Sequence, residues 1–242
     1  MASALARGIG EPVLVSDVDA ARAEALAEEL GGEALATNAD VAARADAIVL
    51  CHKPKQLAEV AGEAAGEAKA VVSILGAVRT SQLEEAYPGL PVYRFIPNIP
   101  AEVRQGVLCY SPGALASEGP EREVLELFGR VGSVIPLADE ALIEPAMALM
   151  SSGVAFVALV AEAVADAGVR HGLERHDAVR MAVETMGGTA AWAGAHELDL
   201  EGLRARVATP GGMTERGLQA LEEGGLRDVC RAYVDTVVEA TR

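Results

Sequence analysis

The residues best suited to chemistry form a short turn near the C-terminal end of the 242-residue chain, Thr209-Pro210-Gly211-Gly212-Met213-Thr214. A proline and paired glycines directly before a predicted helix leave backbone N–H groups exposed at the positive end of the helix dipole. The hydroxyls of Thr209 and Thr214 would add further donors. The turn therefore predicts a small carboxylate-binding cup, although an N-capped helix start without a ligand fits the same pattern.

Polar residues also follow two predicted strands in the first half of the chain. Ser16 and Asp17 end one strand, where a carboxylate would bond both hydroxyls of an unphosphorylated adenosine ribose and repel a 2′-phosphate. Alternatively, Asp17 caps the next helix. His52, Lys53 and Pro54 end another strand, so their backbone and the Lys53 side chain would line a nucleotide groove. A lone histidine such as His52 is also often an ordinary loop residue.

A third candidate is the segment Arg94-Phe95-Ile96-Pro97-Asn98-Ile99-Pro100. Its two prolines bracket Asn98 and fix the backbone at the end of a strand, which would hold the side-chain amide in one orientation. A rigid turn between a strand and a helix, without any ligand, explains the same spacing.

These candidates need a scaffold, and the spacing of apolar runs predicts one of alternating strands and helices. Strands are predicted at 12–17, 34–37, 47–51, 70–75, 92–96, 107–111 and 132–137, and helices at 2–8, 20–30, 40–44, 56–68, 80–86 and 121–128. Continuous apolar strands that alternate with helices are typical of a parallel sheet covered on both faces. Because such sheets bind nucleotides at the carboxyl ends of their strands, a nucleotide is the first ligand to consider.

From residue 142 onward the pattern is almost entirely helical. Breaks are predicted at Gly172, Gly187-Gly188, Thr209–Gly212 and Gly224-Gly225. We therefore expect an α/β chain with two domains: a Rossmann-like, dinucleotide-binding parallel-sheet domain over residues 1–138 and an all-helical domain over residues 139–242.

The first residues raise a question about the nucleotide site. Residues 2–8 resemble a helix already under way, because no capping residue or turn precedes them. The strand and the glycine-rich turn that usually begin a dinucleotide-binding unit are absent. We expect an upstream segment that supplies them; a natural truncated form, with an unpaired sheet edge and a weakened pyrophosphate site, is the alternative.

The composition excludes several classes of partner. A formal net charge of −16 disfavours nucleic acid and anionic lipid surfaces. The three cysteines, Cys51, Cys109 and Cys230, are widely spaced and include no CxxC pair, which argues against a disulfide framework or a zinc site and fits a reducing cytoplasm. No metal site is predicted. The uncharged stretch 145–161 lacks flanking basic or aromatic anchors, so we interpret it as a helix buried in a protein core or a dimer rather than a membrane span.

Several segments resemble the pyrroline-5-carboxylate reductase family. They are ALARG (4–8), SDVD (16–19), HKPKQL (52–57), SILGAV (73–78), PNIPAEVRQG (97–106), EAVADAGVRHGLERHDA (162–178) and ATPGGMTERGLQALEEGGLRD (208–228). They match in order and spacing over essentially the whole chain, and the most specific part is residues 207–226.

The resemblance implies NADPH- or NADH-dependent reduction of the cyclic imine 1-pyrroline-5-carboxylate to L-proline, the last step of proline biosynthesis. It also implies a homodimer with interlocked helical domains, or a larger homo-oligomer. Thr214 would contact the imine side of the substrate and Glu197 would lie near it. The remaining implied substrate-binding residues are Ser152, Gly153, Thr209, Gly211, Gly212 and Met213, and the implied cofactor-binding residues are Ser16, Asp17, His52, Lys53, Pro54, Ala77, Val78, Pro97 and Asn98.

The sequence departs from the family pattern near the expected substrate pocket. Met150–Phe156 reads MSSGVAF where the family commonly reads SGSGPAY, and Met213 replaces the usual first threonine after the paired glycines. Two alternatives therefore stay open: a reductase of another cyclic imine or small carbonyl acid, and a non-catalytic paralogue without cofactor affinity.

Overall fold

The computed structural model describes residues 1–240, so residues 241 and 242 of the predicted helical domain lie outside the described part. The chain divides into two compact units, Met1–Ser151 and Ser152–Ala240. The first contains every strand of the described chain, and the second is entirely helical.

The first unit alternates strands and helices. Its strands are β1 (Leu14–Val15), β2 (Glu33–Ala34), β3 (Ile48–Leu50), β4 (Val71–Ser73), β5 (Val92–Pro97), β6 (Gly106–Pro112) and β7 (Gly132–Pro136). Its helices are α1 (Ala2–Ile9), α2 (Ala20–Leu30), α3 (Asn38–Arg44), α4 (Leu57–Ala64), α5 (Thr80–Ala86), α6 (Glu121–Gly129) and α7 (Ile143–Met150). Each predicted strand and helix of this half is present, although the strands β1 to β4 and the helix α4 are shorter than predicted.

Local sequence explains the helix ends. Helix α2 stops at Gly31, whose left-handed conformation (φ 67°) lets its N–H bond to the carbonyls of Ala27 and Glu28. Thr37, predicted as strand, instead caps α3 by accepting the N–H of Asp40 through its hydroxyl at 3.0 Å. The predicted strand 34–37 is therefore wrong at its C-terminal end. Thr37 is the capping residue of α3 and lies outside β2.

The strands form two sheets, β1-β2 and β3-β4-β5-β6-β7. All neighbouring strands are parallel except β5 and β6, which are antiparallel. The predicted parallel sheet is confirmed, with this pair as its one antiparallel exception in the described chain. The connection over residues 98–105 is shorter than the dozen or so residues that a parallel crossover needs, so the chain turns back beside β5.

Apolar side chains cover both faces of the five-stranded sheet. On one face Phe95 stacks against Phe128 and Tyr110, with ring centroids 4.4 and 4.8 Å apart. Residues of β4 and β5 are buried throughout, including Val71 and Val92. Continuous burial explains why these strands are apolar without alternation.

A buried ion pair fixes the segment that leaves the sheet. The Arg94 side chain is 4% exposed and donates from Nη1 to Glu140 Oε1 at 2.5 Å. The same oxygen accepts the backbone N–H and the hydroxyl of Thr80, each at 2.6 Å. Burial alone would raise the pKa of Glu140, but the hydrogen bonds from Thr80 and Arg94 outweigh it and hold that pKa below its ordinary value of 4.5.

The second unit consists of five helices. They are α8 (Gly153–Arg170), α9 (Arg175–Gly194), α10 (Leu200–Val207), α11 (Met213–Glu223) and α12 (Leu226–Ala240). The predicted breaks at Gly172, at Thr209–Gly212 and at Gly224-Gly225 are confirmed. The predicted break at Gly187-Gly188 is wrong, since α9 runs through both glycines. Interior glycines weaken a helix by only about 1 kcal/mol each, and the packing of α9 on α8 offsets this.

The uncharged stretch 145–161 is not one helix, because α7 ends at Met150 and α8 begins at Gly153. The segment Glu140–Arg170 is apolar enough to cross a membrane by length and composition alone, with a mean hydropathy of 1.9 in its most apolar 18-residue window. Within the single chain, 22% of that window is buried. Much of its apolar surface is therefore exposed in the single chain.

Candidate active site

The cofactor candidates of the first unit lie at the carboxyl ends of strands. His52 and Lys53 follow β3, Ala77 and Val78 follow β4, and Asn98 follows β5. Because β3, β4 and β5 are parallel neighbours, these three chain segments meet at one edge of the five-stranded sheet.

Ser16 and Asp17 follow β1 and open into a separate cavity of about 520 Å³. The Ser16 hydroxyl donates to Asn38 Oδ1 at 2.7 Å, and Asn38 Nδ2 donates to Glu63 Oε2 at 2.6 Å. Asp17 accepts the N–H of Asp19 at 3.0 Å through Oδ1. Asp19 occupies the capping position of α2, so Asp17 does not cap that helix. Its second carboxylate oxygen is available for a ligand.

His52 carries a buried polar atom that lacks a partner. Its Nδ1 lies 2.9 Å from the Lys53 carbonyl oxygen, whereas Nε2 is buried and has no hydrogen-bond partner within residues 1–240. Lys53 is exposed, and its N–H donates to Gln56 while Pro54 begins a short 3₁₀ turn. An orphaned nitrogen beside an exposed ammonium suits the amide and phosphate groups of a dinucleotide.

The turn after β4 holds one residue in an unusual backbone conformation. Ala77 has a φ of 59°, in the left-handed region that non-glycine residues seldom occupy. Val78 beside it is buried. The turn therefore offers backbone and a short methyl group, rather than a long side chain, to anything bound at this edge.

Asn98 is buried and uses both ends of its amide within the fold. Its Nδ2 donates to the carbonyl of Met150 at 2.8 Å, and its Oδ1 accepts the N–H of Val107 at 2.9 Å. Pro97, the last residue of β5, is buried as well. The bracketed amide is indeed held in one orientation, and it positions the end of α7 and the start of β6.

The glycine turn of the second unit leads directly into α11, and the N–H of Gly212 donates to the Thr209 carbonyl at 2.9 Å. Gly211 adopts a φ of 74°, and Gly212 caps α11 with its backbone and without a side-chain bond. The N–H groups of the first turn of α11 point out of the helix, as they do at every helix start. The N–H of Gly211, however, donates to the carboxylate of Glu215 at 2.6 Å. Met213 is 92% exposed.

The remaining candidates of the second unit lie at the ends of its helices. Ser152 precedes α8 without capping it through its side chain, and Gly153, the first residue of α8, is buried. Glu197 is exposed in the turn between α9 and α10 and has a φ of 54°. The cofactor candidates thus lie in the first unit and the substrate candidates in the second.

Three residues of these sites were missed by sequence reasoning. Asn38 and Glu63 line the cavity of Asp17 but come from α3 and α4, and no sequence motif links them to it. Glu215 had a recognisable signal, because a glutamate at the third position of a helix commonly binds a backbone N–H just before that helix.

Comparison with known proteins agrees with this arrangement. A family model described as pyrroline-5-carboxylate reductase dimerisation matches residues 140–242, and one described as NADP oxidoreductase coenzyme F420-dependent matches residues 1–76. The pyrroline-5-carboxylate reductase of Methanosarcina acetivorans is 32% identical over 238 residues, which cover 96% of this chain and 86% of that protein. The one from Corynebacterium melassecola is 33% identical over 213 residues, covering 85% and 78%.

A solved structure shows the same fold over nearly the whole chain. The pyrroline-5-carboxylate reductase of Coxiella burnetii superposes with a TM-score of 0.91 at 27% sequence identity, covering 99% of this chain and 93% of that one. The Rossmann-like sheet domain followed by a helical region is confirmed. The chain belongs to the pyrroline-5-carboxylate reductase family.

Proposed function

We propose that the protein reduces 1-pyrroline-5-carboxylate to L-proline with NADPH or NADH. Family membership over 96% of the chain carries this proposal. The N–H groups of Met213 and Thr214 support it, because they make no hydrogen bond within the described chain and suit the carboxylate of a small imino acid, whereas those of Gly211 and Gly212 already donate to Glu215 and to the Thr209 carbonyl. The orphaned Nε2 of His52 and the cavity beside Asp17 support a dinucleotide at the carboxyl ends of the strands β3 and β1.

The bound cofactor would supply the hydride that reaches the imine carbon. The residues after β1, β3, β4 and β5 hold it: Ser16, Asp17, His52, Lys53, Pro54, Ala77, Val78, Pro97 and Asn98. Asn98 acts through the backbone that it fixes, since the protein already uses both ends of its amide.

The second unit binds the substrate. The substrate carboxylate lies at the turn formed by Gly211, Gly212 and Met213, with the Thr209 hydroxyl beside it. The N–H of Met213 is free within the described chain, whereas the N–H groups of Gly211 and Gly212 donate to Glu215 and to the Thr209 carbonyl. Thr214 hydrogen-bonds the imine nitrogen and orients it for protonation, while Glu197, Ser152 and Gly153 complete the pocket. Fixed donors of this kind need no reorganisation as charge changes during the reaction.

We further propose a cytoplasmic homodimer, or a larger homo-oligomer, that binds neither nucleic acid nor membrane. The net charge of −16 supports the exclusion of nucleic acid. An apolar groove between α8 and α9, lined by Val164, Leu173 and Met181 among others, supports self-association. For the domains, residues 1–138 bind cofactor and residues 139–242 mediate dimerisation; the family match to 140–242 supports this boundary.

The test is a spectrophotometric assay of NADPH and NADH oxidation with 1-pyrroline-5-carboxylate. Thr214→Ala should lower kcat/KM about 100-fold, because it removes one positioned donor, and Thr214→Ser should restore much of it. Thr236→Ala is the matched control, since that hydroxyl only bonds the Ala232 carbonyl within α12. Absence of cofactor oxidation by the wild-type protein would refute the proposed reaction.

A further inference from the structure

We propose that Asp17, together with Glu63, makes this protein select NADH over NADPH. The inference rests on the proposed function and names the form of cofactor that the site after β1 accepts. Family membership leaves that choice open, and the family model matching residues 1–76 is described by NADP.

The cavity after β1 carries two carboxylates. Asp17 and Glu63 both line it, together with the neutral Ser16, Thr37 and Asn38. Asp17 accepts the N–H of Asp19 with one oxygen, and its other oxygen makes no hydrogen bond within the described chain. Glu63 accepts Asn38 Nδ2, and Asn38 accepts the Ser16 hydroxyl, so a chain of hydrogen bonds holds the second carboxylate in place.

Neither of these carboxylates forms an ion pair with a lysine or arginine of residues 1–240. Neither lysine nor arginine lines this cavity in the described chain, and Arg22, the basic residue nearest to Asp17 along the sequence, is not among its lining residues. Two other arginines of the same part of the unit are already paired: Arg44 with Glu33 at 2.6 Å, and Arg7 with Glu29 at 2.7 Å.

The chemistry of the two cofactors differs at one group. The adenosine ribose of NADH has two hydroxyl donors that a free carboxylate oxygen accepts. The corresponding 2′-phosphate of NADPH has lost one donor and carries roughly two negative charges at neutral pH. In a cavity lined by two carboxylates and by no lysine or arginine of the described chain, this charge is repelled. We therefore expect NADH to bind at least about tenfold more tightly.

The experiment is isothermal titration of the full chain with NADH and with NADPH. Asp17→Asn keeps the shape and removes the charge, so it should reduce the ratio of dissociation constants to within about threefold. Asp46→Asn, at an exposed carboxylate that pairs with Lys69 away from the cavity, should leave the ratio unchanged. Salt at about 1 M should also reduce the wild-type ratio of dissociation constants, because it screens the repulsion between charges and leaves the shape of the cavity unchanged.

The titration distinguishes a failure of the proposed NADH preference from a failure of the proposed reductase function. Equal or tighter binding of NADPH by the wild-type chain, or an unchanged ratio in Asp17→Asn, overturns the inference and leaves the reductase proposal standing. Failure of both dinucleotides to bind overturns the two together. Because Asp17 is exposed, the variant should keep the wild-type circular dichroism spectrum.

Discussion

Glu215 places a carboxylate of the protein where the substrate carboxylate is proposed to bind. It accepts the Gly211 N–H at 2.6 Å, and so occupies one donor of the cup. Such a bond stabilises the start of α11 in the free protein. It also opposes a second anion at the same place, because like charges at short distance repel. Substrate binding must therefore displace Glu215 or share its donor.

Glu215→Gln should lower the KM for 1-pyrroline-5-carboxylate several-fold and leave kcat nearly unchanged. The neutral amide no longer repels the substrate and does not hold the Gly211 N–H as strongly as a carboxylate does. Steady-state kinetics at saturating cofactor measures the effect. Glu223→Gln, at the other end of α11, is the control, since that carboxylate bonds Gln219. A raised KM with a lower melting temperature would show that Glu215 only stabilises the helix start.

For individual residues, the sequence predicted the local structure where the interacting residues are neighbours in the chain. The left-handed Gly211 and the backbone-capped start of α11 follow from residues adjacent in the chain. The partners of Asn98 do not, because Met150 lies 52 residues away and only the folded chain brings it near. The prolines indicated a fixed amide, but they carried no information about what the amide would bind.

Among the elements, the pair Arg94–Glu140 ties β5 to the segment before α7 and to the start of α5. Removing the charge of Glu140 leaves the Arg94 guanidinium buried without a counter-ion, which is costly. Because the Glu140 side chain is 28% exposed, we expect Glu140→Gln to lower the free energy of unfolding by about 3 kcal/mol, the lower end for a buried pair. Urea denaturation at pH 7 measures it, with Glu144→Gln as the control.

The ion pair between Arg94 and Glu140 should also make the stability of the protein depend on pH. The pKa of Glu140 is lower in the folded protein than its ordinary value of 4.5. Its stabilising contribution is therefore present above pH 4.5 and is lost as the pH falls through the lowered folded-state pKa. The wild-type protein should lose stability over this acid range more steeply than Glu140→Gln. Parallel curves for the two proteins would contradict this role.

Element order was predictable because apolar runs and glycine stops are local signals, and α2 and α5 begin and end where they were predicted. The direction of β6 was not predictable from the alternation of strands and helices. Its antiparallel pairing with β5 depends on the short connection between the two strands, and the alternation pattern contains no information about that length. The continuation of α9 through Gly187 depends on packing against α8, a tertiary effect that overrides local propensity.

For the whole molecule, the sequence indicated two parts from the change in pattern near residue 138. In the sequence, the boundary between the two compact units falls between Ser151 and Ser152. Helix α7 therefore belongs to the unit that contains the sheet, although it follows the last strand. Its residue Ile143 is buried in one cluster with Ile96 and Cys109 of the sheet. The uncharged composition of 145–161 could not distinguish a helix that packs on the sheet from one that faces a partner.

Helix α8 is the part of that stretch whose apolar side chains the single chain leaves most exposed. Leu159 is 62% exposed in the single chain, as are many of its apolar neighbours. If a second copy covers α8, Leu159→Glu buries an unpaired carboxylate at the interface and should raise the dimer dissociation constant by a factor on the order of 100. Sedimentation velocity and light scattering over a range of concentrations measure this. Val103→Glu adds the same charge at an exposed apolar residue of the first unit and should leave the mass unchanged. A Leu159→Glu protein with an unaltered dissociation constant would mean that this face of α8 does not form the interface.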